Sequence, residues 1–569
     1  MILQALVQYY ENLVKQDKIA KTGWCHAKVS YVIDLNEDGE IREIMPVNAV
    51  LCVPEMVTRT SGISANFLCD NAKFIFGIDA TGTTKRTIEC FQATRDRHLT
   101  LLQNASGIMA KAICKFFASW NPEKAKENVV VQTHWDEITD GGNLIFGMGT
   151  KYAQDDENVK YIWEKEQQQG NEEQTGICLV TGMQSEIARI HRGIKGVPGS
   201  QTSGAALVSF NAPAFESYGK EQSYNAPVGK YAEFAYTTAL NYLLNQRDYR
   251  FQVGDSMIVF WSESGKQEDQ ENFLSLINPK PENQDELRKI FYNLRQGKRV
   301  DVDDIDLDLD QKFYILCLAP NAARLSVRFF YQNTVGTILE NISKHYERMK
   351  IVKPTWENMD YLGIRKTLDE TVNQKSKDKT PVPEMAAKVL EAVLSDARYP
   401  VSLYTDTMIR IRAEQGNVKY GRAAIIKAFL IQNYDWKEGE MYMGLNATSK
   451  DVPYVLGRLF AVLESIQKDV NPGINATIRD RYFNSACATP ATIFPVLIKL
   501  KGSHMKKMER DAGGMKVYYE KLLTELMGKI EMAPETGGFP RHLTLEEQGR
   551  FMLGYYHQMQ KKYEKKENQ

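Results

Sequence analysis

The chain has 569 residues, more than one ordinary hydrophobic core accommodates, so two or three domains are expected. With 43% hydrophobic and 25% charged residues the composition is globular, which excludes a fibrous or mainly disordered chain. A formal net charge of −1 excludes a uniformly basic nucleic-acid coat and confines any nucleic-acid surface to a local patch.

Ile2, Leu3, Leu6, Val7, Tyr10, Leu13 and Val14 recur at helical spacing, which predicts an opening amphipathic helix. Val29–Leu35 reads as a strand, and Asn36-Glu37-Asp38-Gly39 supplies the turn for a return along Ile41–Met45. Further strands are expected at Lys73–Ile78, Leu179–Thr181, Ala206–Phe210, Met257–Trp261, Phe313–Leu318 and Leu325–Tyr331. Helices are expected at Leu99–Trp120, Tyr231–Leu244 and Val335–Met349. The acidic-apolar run Asp301–Asp310 lacks the glycine and glutamate of a calcium loop and reads as a strand with one solvated acidic face.

After about Lys350 the strand signals fade. Pro383–Ser395 and Val418–Gln432 read as helices. Four more amphipathic helices follow, marked by Val455 to Ile466, Ile493 to Leu500, Met515 to Ile530, and Phe551 to Tyr563. The last opens on the capping box Thr544-Leu545-Glu546-Glu547. The expected fold is therefore an α+β N-terminal region followed by an all-α C-terminal helical bundle. Its expected divisions are residues 1–350, a helical connection 351–442 and a four-helix bundle 443–569. The last holds 19 Lys and Arg against 14 Asp and Glu, while the remainder holds 52 against 58, so the C-terminal part is the basic one.

The eight cysteines are scattered without a C-x-x-C pair, as in a reduced cytoplasmic protein. The opening MILQALVQYYENLVKQ lacks a signal peptide's positive start and apolar core. No window approaches the apolar length of a membrane span, so a cytoplasmic location away from membranes is expected. Gly265-Lys266 precedes Gln267 rather than the Ser or Thr of a phosphate-binding loop, and no G-x-S-x-G elbow appears. His134-Trp135-Asp136-Glu137 places acids beside an imidazole without a second cluster to complete a metal site. No cofactor, metal or catalytic residue is expected.

Gly204–Val228 reads GAALVSFNAPAFESYGKEQSYNAPV. Two Asn-Ala-Pro copies, at Asn211 and Asn225, frame Phe215, Tyr218, Lys220, Gln222 and Tyr224. Amides that pair with base edges, aromatics that stack and a cation for phosphate make a candidate nucleic-acid-reading loop. A packed structural loop uses the same residue types, so composition by itself leaves both readings open. The stretch Lys499-Leu500-Lys501, His504, Lys506, Lys507 and Arg510 is either a backbone-tracking surface or an ordinary solvated helix face.

The Gly204–Val228 run resembles a signature of the large subunit of the type I-C CRISPR Cascade. The likeness continues through MILQALVQYYENL, Phe67–Gly77 (FLCDNAKFIFG), Leu318–Phe330 (LAPNAARLSVRFF), Leu456–Gln467 (LGRLFAVLESIQ) and Gln548–Gln558 (QGRFMLGYYHQ). It implies a non-catalytic subunit of an RNA-guided complex that contacts the PAM duplex and helps open target DNA, while guide pairing reads the sequence. The implied partners are guide RNA, target double-stranded DNA, the backbone, guide-processing and small subunits, and a separate helicase-nuclease. For a PAM rich in A·T pairs, amide donors suit the minor groove. The first candidates are Asn71 for bases and Lys73 for phosphate, followed by Asn211, Lys220, Gln222 and Asn225 in the loop. Lys499, Lys501, Lys506 and Lys507 are the backbone-tracking candidates.

The resemblance also implies a separately made small subunit. Lys437-Glu438-Gly439-Glu440 is encodable by a purine run upstream of Met441 and Met443, so an internal start there would yield the basic helical region. The competing readings are a metal-dependent nuclease with an unrecognised site, with Asp136 and Glu137 its test residues, and a purely structural scaffold.

Overall fold

The computed structural model describes residues 1–57, 62–168, 174–265, 267–296, 301–302, 305–306, 308–377, 379–530 and 538–563. Its contacts separate two units, residues 1–193 with 208–240, and residues 194–207 with 241–569. An α+β N-terminal region precedes a helical C-terminal region, as the hydrophobic periodicity requires.

In the first unit, Trp24–Leu35 and Ile41–Pro54 form an antiparallel hairpin. Asn36 closes its turn, with Oδ1 accepting the N–H groups of Asp38 and Glu40 at 2.9 Å each. Trp24–Leu35 also pairs in parallel with Asn143–Met148, which pairs antiparallel with Cys69–Asp70. The Lys85–Leu102 and Ile108–Ser119 helices bury Phe91, Leu102, Ile113, Phe116 and Phe117 in the same core as the strand residues Ile33, Leu144 and Phe146.

Several local expectations are corrected. Lys73–Ile78 is not a strand: Ala72–Ile75 is a short helix, and the strand is Cys69–Asp70 before it. Full burial of Phe74, Ile75, Phe76 and Ile78 produces a continuous apolar run that either element can carry. Leu99–Trp120 is two helices, broken between Gln103 and Gly107. Leu179–Thr181 lies in the turn between the paired strands Thr175–Ile177 and Gln184–Glu186, where Cys178 and Met183 share a backbone hydrogen bond. Ala206–Phe210 makes only an isolated bridge, from Ala206 to Arg324, before the chain turns toward Pro213. In the acidic run, Asp301–Val302 pairs antiparallel with Ile305–Asp306, and the remainder of 303–307 lies outside the described residues.

The second unit contains an antiparallel sheet ordered Arg324–Thr334, Lys312–Asn321, Ser256–Ser262, Arg250–Val253. One hydrophobic core runs from Phe251 to Tyr556, so the helices of 351–442 and 443–569 share it. Beyond residue 443 the described residues hold five helices rather than four, because Ile478–Ala488 is a helix too. Its polar sequence, IRDRYFNSACA, hides a short apolar face that includes Ile478 and Phe483. The Thr544 capping box forms as expected, with Thr544 N–H donating to Glu547 and Glu547 N–H donating back to Thr544 Oγ1.

Val452–Val470 and Leu545–Tyr563 pack backbone to backbone. A methyl on Gly457 would enter the van der Waals shell of the Phe551 carbonyl oxygen, and one on Gly554 that of the Tyr454 carbonyl oxygen. Gly457→Ala or Gly554→Ala should therefore lower the unfolding free energy by about 2–3 kcal/mol. Chemical denaturation checks this against Gly502→Ala, where a methyl meets nothing and the change should be neutral or stabilising.

Candidate nucleic-acid interface

Asp70 and Asn71 sit where the short strand Cys69–Asp70 becomes a helix. Asn71 is the helix cap, its Oδ1 accepting the Lys73 N–H at 3.1 Å. That fixes the side chain, and its Nδ2 donor has no hydrogen bond among the described residues. Asp70 is buried and takes the N–H groups of Asn66 and Asn71 at 3.1 and 2.9 Å. Upstream, Leu68 adopts φ 60°, and its N–H donates to His98 Nε2 at 2.9 Å. Burial holds the His98 imidazole down at about 4, so it stays a neutral acceptor for this peptide. Lys73 is exposed, with Nζ 4.0 Å from Asp79.

The second group is the loop from Asn211 to Val228. Ser217 to Lys220 is a tight turn in which the Lys220 N–H donates to the Ser217 carbonyl at 3.0 Å. Tyr218 and Gly219 both have positive φ, 54° and 68°, the backbone of a type I′ turn. A tyrosine there is conformationally costly, and its side chain is 100% exposed. Asn225 holds the turn from below: Oδ1 accepts the Ser217 N–H at 2.8 Å, and Nδ2 donates to the carbonyls of Lys220 and Gln222 at 2.6 and 2.9 Å. Gln222, also at positive φ, accepts from Arg189 Nε at 2.8 Å and donates its N–H to Glu216.

The two Asn-Ala-Pro copies therefore differ. Asn225 spends its amide inside the loop, while Asn211 is exposed with no side-chain hydrogen bond among the described residues. Lys220 is exposed and forms no ion pair among the described residues. Asn71 with Lys73, and the loop, are two separate groups in the first unit, with no hydrogen bond or ion pair between them among the described residues.

Sequence reasoning missed Arg189 and the cleft it borders. This cleft, about 1010 Å³, is walled by Tyr10, Tyr231, Phe234, Arg189, Arg192 and Glu233. Arg192 lies 4.6 Å over the Phe234 ring and pairs with Glu55 and Glu233. Burial raises the Glu233 carboxyl although it accepts the Arg192 N–H. No sequence motif marks these residues, because they come from four separate segments.

In the second unit the basic stretch lies on the helix Pro490–Asp511. Lys499, Lys506, Lys507 and Arg510 share its exposed side, Lys507 donating to Asn471 at 3.0 Å and Arg510 to Asp511. Lys501 falls half-buried on the side of Phe494, Leu497, Met505 and Met508, away from the other lysines. His134 faces Glu137 at 2.9 Å, and among the described residues no three His, Cys, Asp or Glu side chains are placed to hold a metal.

Asn225→Ala should loosen the 217–222 turn without unfolding the protein. Losing its three hydrogen bonds costs about 2 kcal/mol of local order, so tryptic cleavage after Lys220 should accelerate about thirtyfold at unchanged melting temperature. Limited proteolysis beside a melting curve checks both parts.

No described helix is long and apolar enough to cross a membrane. No curated protein matches the chain. Residues 6–563 match the model of a CRISPR-associated protein family, Cas_Csd1. A match over nearly the whole chain accounts for the ordered likenesses from the first helix to the last, and the chain belongs to this Csd1 family, the large subunit of the type I-C CRISPR Cascade.

Proposed function

We propose that this subunit recognises the PAM in double-stranded DNA, begins strand opening there and supports recruitment of a separate helicase-nuclease, without catalysis of its own. The observation that carries the reading is the Ser217–Lys220 turn, which holds a fully exposed Tyr218 on costly backbone under three Asn225 hydrogen bonds. An aromatic carried on a braced backbone turn, beside a lysine with no ion pair among the described residues, suits insertion at a base step, with the ammonium on the adjacent phosphate. Preorganisation matters because ordering a floppy loop on binding would subtract from affinity.

Asn71 is the candidate base reader. Its capped side chain presents Nδ2 as a donor, the group that meets the N3 and O2 acceptors of A·T pairs in the minor groove. Lys73 positions the duplex through phosphate. The exposed side of Pro490–Asp511 tracks a nucleic-acid backbone through Lys499, Lys506 and Lys507, and the helical region from Met443 onward acts as the counterpart of a small subunit. Guide RNA, target DNA and the backbone and guide-processing subunits are the partners in this reading.

Two measurements on the assembled complex test it. Asn71→Ala should weaken binding to PAM-bearing duplex by about 1–3 kcal/mol while leaving PAM-less duplex nearly unchanged. Equal loss on both would sink the reading role. Replacing Lys499, Lys506 and Lys507 by Gln should flatten the dependence of log K on log salt by about 0.9 for each phosphate contact removed. An unchanged slope would make this an ordinary solvated face.

A further inference from the structure

The second unit contains a cleft of about 610 Å³ with an unusual rim. Trp356 stands on it 76% exposed. The other six of the seven tryptophans are buried or half-buried. A large planar apolar group left in water is costly unless something covers it in the working protein.

Its placement is braced. The Glu357 N–H donates to the Pro354 carbonyl at 3.0 Å, closing a turn with Trp356 inside it. Two buried tyrosines clamp the same segment, Tyr556 donating to the Val352 carbonyl at 2.7 Å and Tyr420 to the Met359 carbonyl at 3.2 Å. The part of the lining around Asn417 and Glu370 is set by Arg422, fully buried, which binds Glu414 through both terminal nitrogens at 2.8 Å and also donates to the backbone carbonyls of Asn417 and Glu370. The ring and the amide wall therefore face a preformed space.

What the cleft offers chemically is specific. The side chains of Asn417 and Gln560 make no hydrogen bond among the described residues, and Gln374 uses only its amide nitrogen, on the Asp369 carbonyl. Lys366 and Lys419 are exposed and form no salt bridge among the described residues. Three carboxylates also border the space. Glu370 lies 3.2 Å from Arg422, a guanidinium it shares with Glu414, Glu357 accepts the Met359 N–H, and burial raises both the Asp369 and the Glu370 carboxyl, which favours their neutral forms. A protein partner docking here would meet amides and charged groups of both signs around one ring rather than a continuous apolar floor. A nucleobase needs this combination: one face to stack on, amides for its edge and a cation for its phosphate.

We propose that the Trp356 cleft binds a nucleotide of single-stranded nucleic acid, the base stacked on the indole and its edge facing Asn417, Gln374 and Gln560. The site is distinct from Asn71 and the 211–228 loop and does not depend on the duplex reading above. With only two ammonium groups lining it, its affinity comes from stacking, and its log K against log salt slope should not exceed about −1.4.

Because Trp356 is the one highly exposed indole, tryptophan fluorescence of the full-length chain reports on it. Titration with a short oligothymidylate should quench that emission. Trp356→Phe should abolish the quench while preserving most of the affinity read by anisotropy of a labelled oligonucleotide. Trp356→Ala should weaken that affinity about tenfold, at unchanged melting temperature. Asn71→Ala, assayed in parallel, should leave the quench intact, so failure of the duplex reading and failure of this one are separable. Unquenched emission, or undiminished affinity in Trp356→Ala, overturns the proposal. Loss of complex assembly in Trp356→Ala with oligonucleotide binding intact also overturns it, and assigns the ring to a protein partner.

Discussion

The second unit depends on the contact between two helix backbones at Gly457 and Gly554. Only glycine allows Val452–Val470 and Leu545–Tyr563 to approach until carbonyl oxygens occupy the space of side chains. Once they are that close, groups that water would ordinarily solvate must find partners inside. Arg458 donates to Gln558 and to the carbonyls of Asn446 and Ala447, Glu464 accepts from Tyr555 and Thr477, and Tyr454 meets His557 at 2.9 Å. Burial holds the His557 imidazole down at about 3, so it packs as a neutral ring. These polar groups tolerate burial because partners sit at set positions along both helices, which gives the pair one register.

The first unit solves a different problem, that of holding small polar groups at its surface in defined orientations. Asn71 is oriented by its own helix, and the peptide leading to it by a neutral His98 in the core. The 211–228 loop is oriented by Asn225 and by the Arg189–Gln222 bond. In both places the residue that presents a surface group is adjacent to one that spends all its hydrogen bonds internally. Binding energy is then not consumed in ordering the site.

Much of this was legible in local sequence. The Asn36 turn, the Thr544 capping box, the strands at Phe313–Leu318 and Leu325–Tyr331, and most of the helices follow from periodicity and turn chemistry. The strand expected at Lys73–Ile78 failed where burial is complete. Phe74 to Ile78 is apolar whether helical or extended, and only the Asn71 cap decides between them. Ile478–Ala488 was illegible for the opposite reason, since its apolar face is short and flanked by charges. Among the site candidates, the Asn211–Val228 run stood out from its residue types, but those types are equally those of a packed loop.

By itself the sequence determined the fold class, the basic character of the C-terminal region and the family, because composition, periodicity and ordered matches are properties of the chain read locally. Tertiary structure alone decided which member of a repeated motif works inward and which faces out: Asn225 ties the loop while Asn211 is free of it. It also turned Lys501 away from Lys499, Lys506 and Lys507, joined Arg189 to Gln222, and brought Trp356 and Asn417 to the lining of one cleft. Each of these rests on contacts between residues distant in sequence or on which side of an element meets the core, and local spacing carries no record of either.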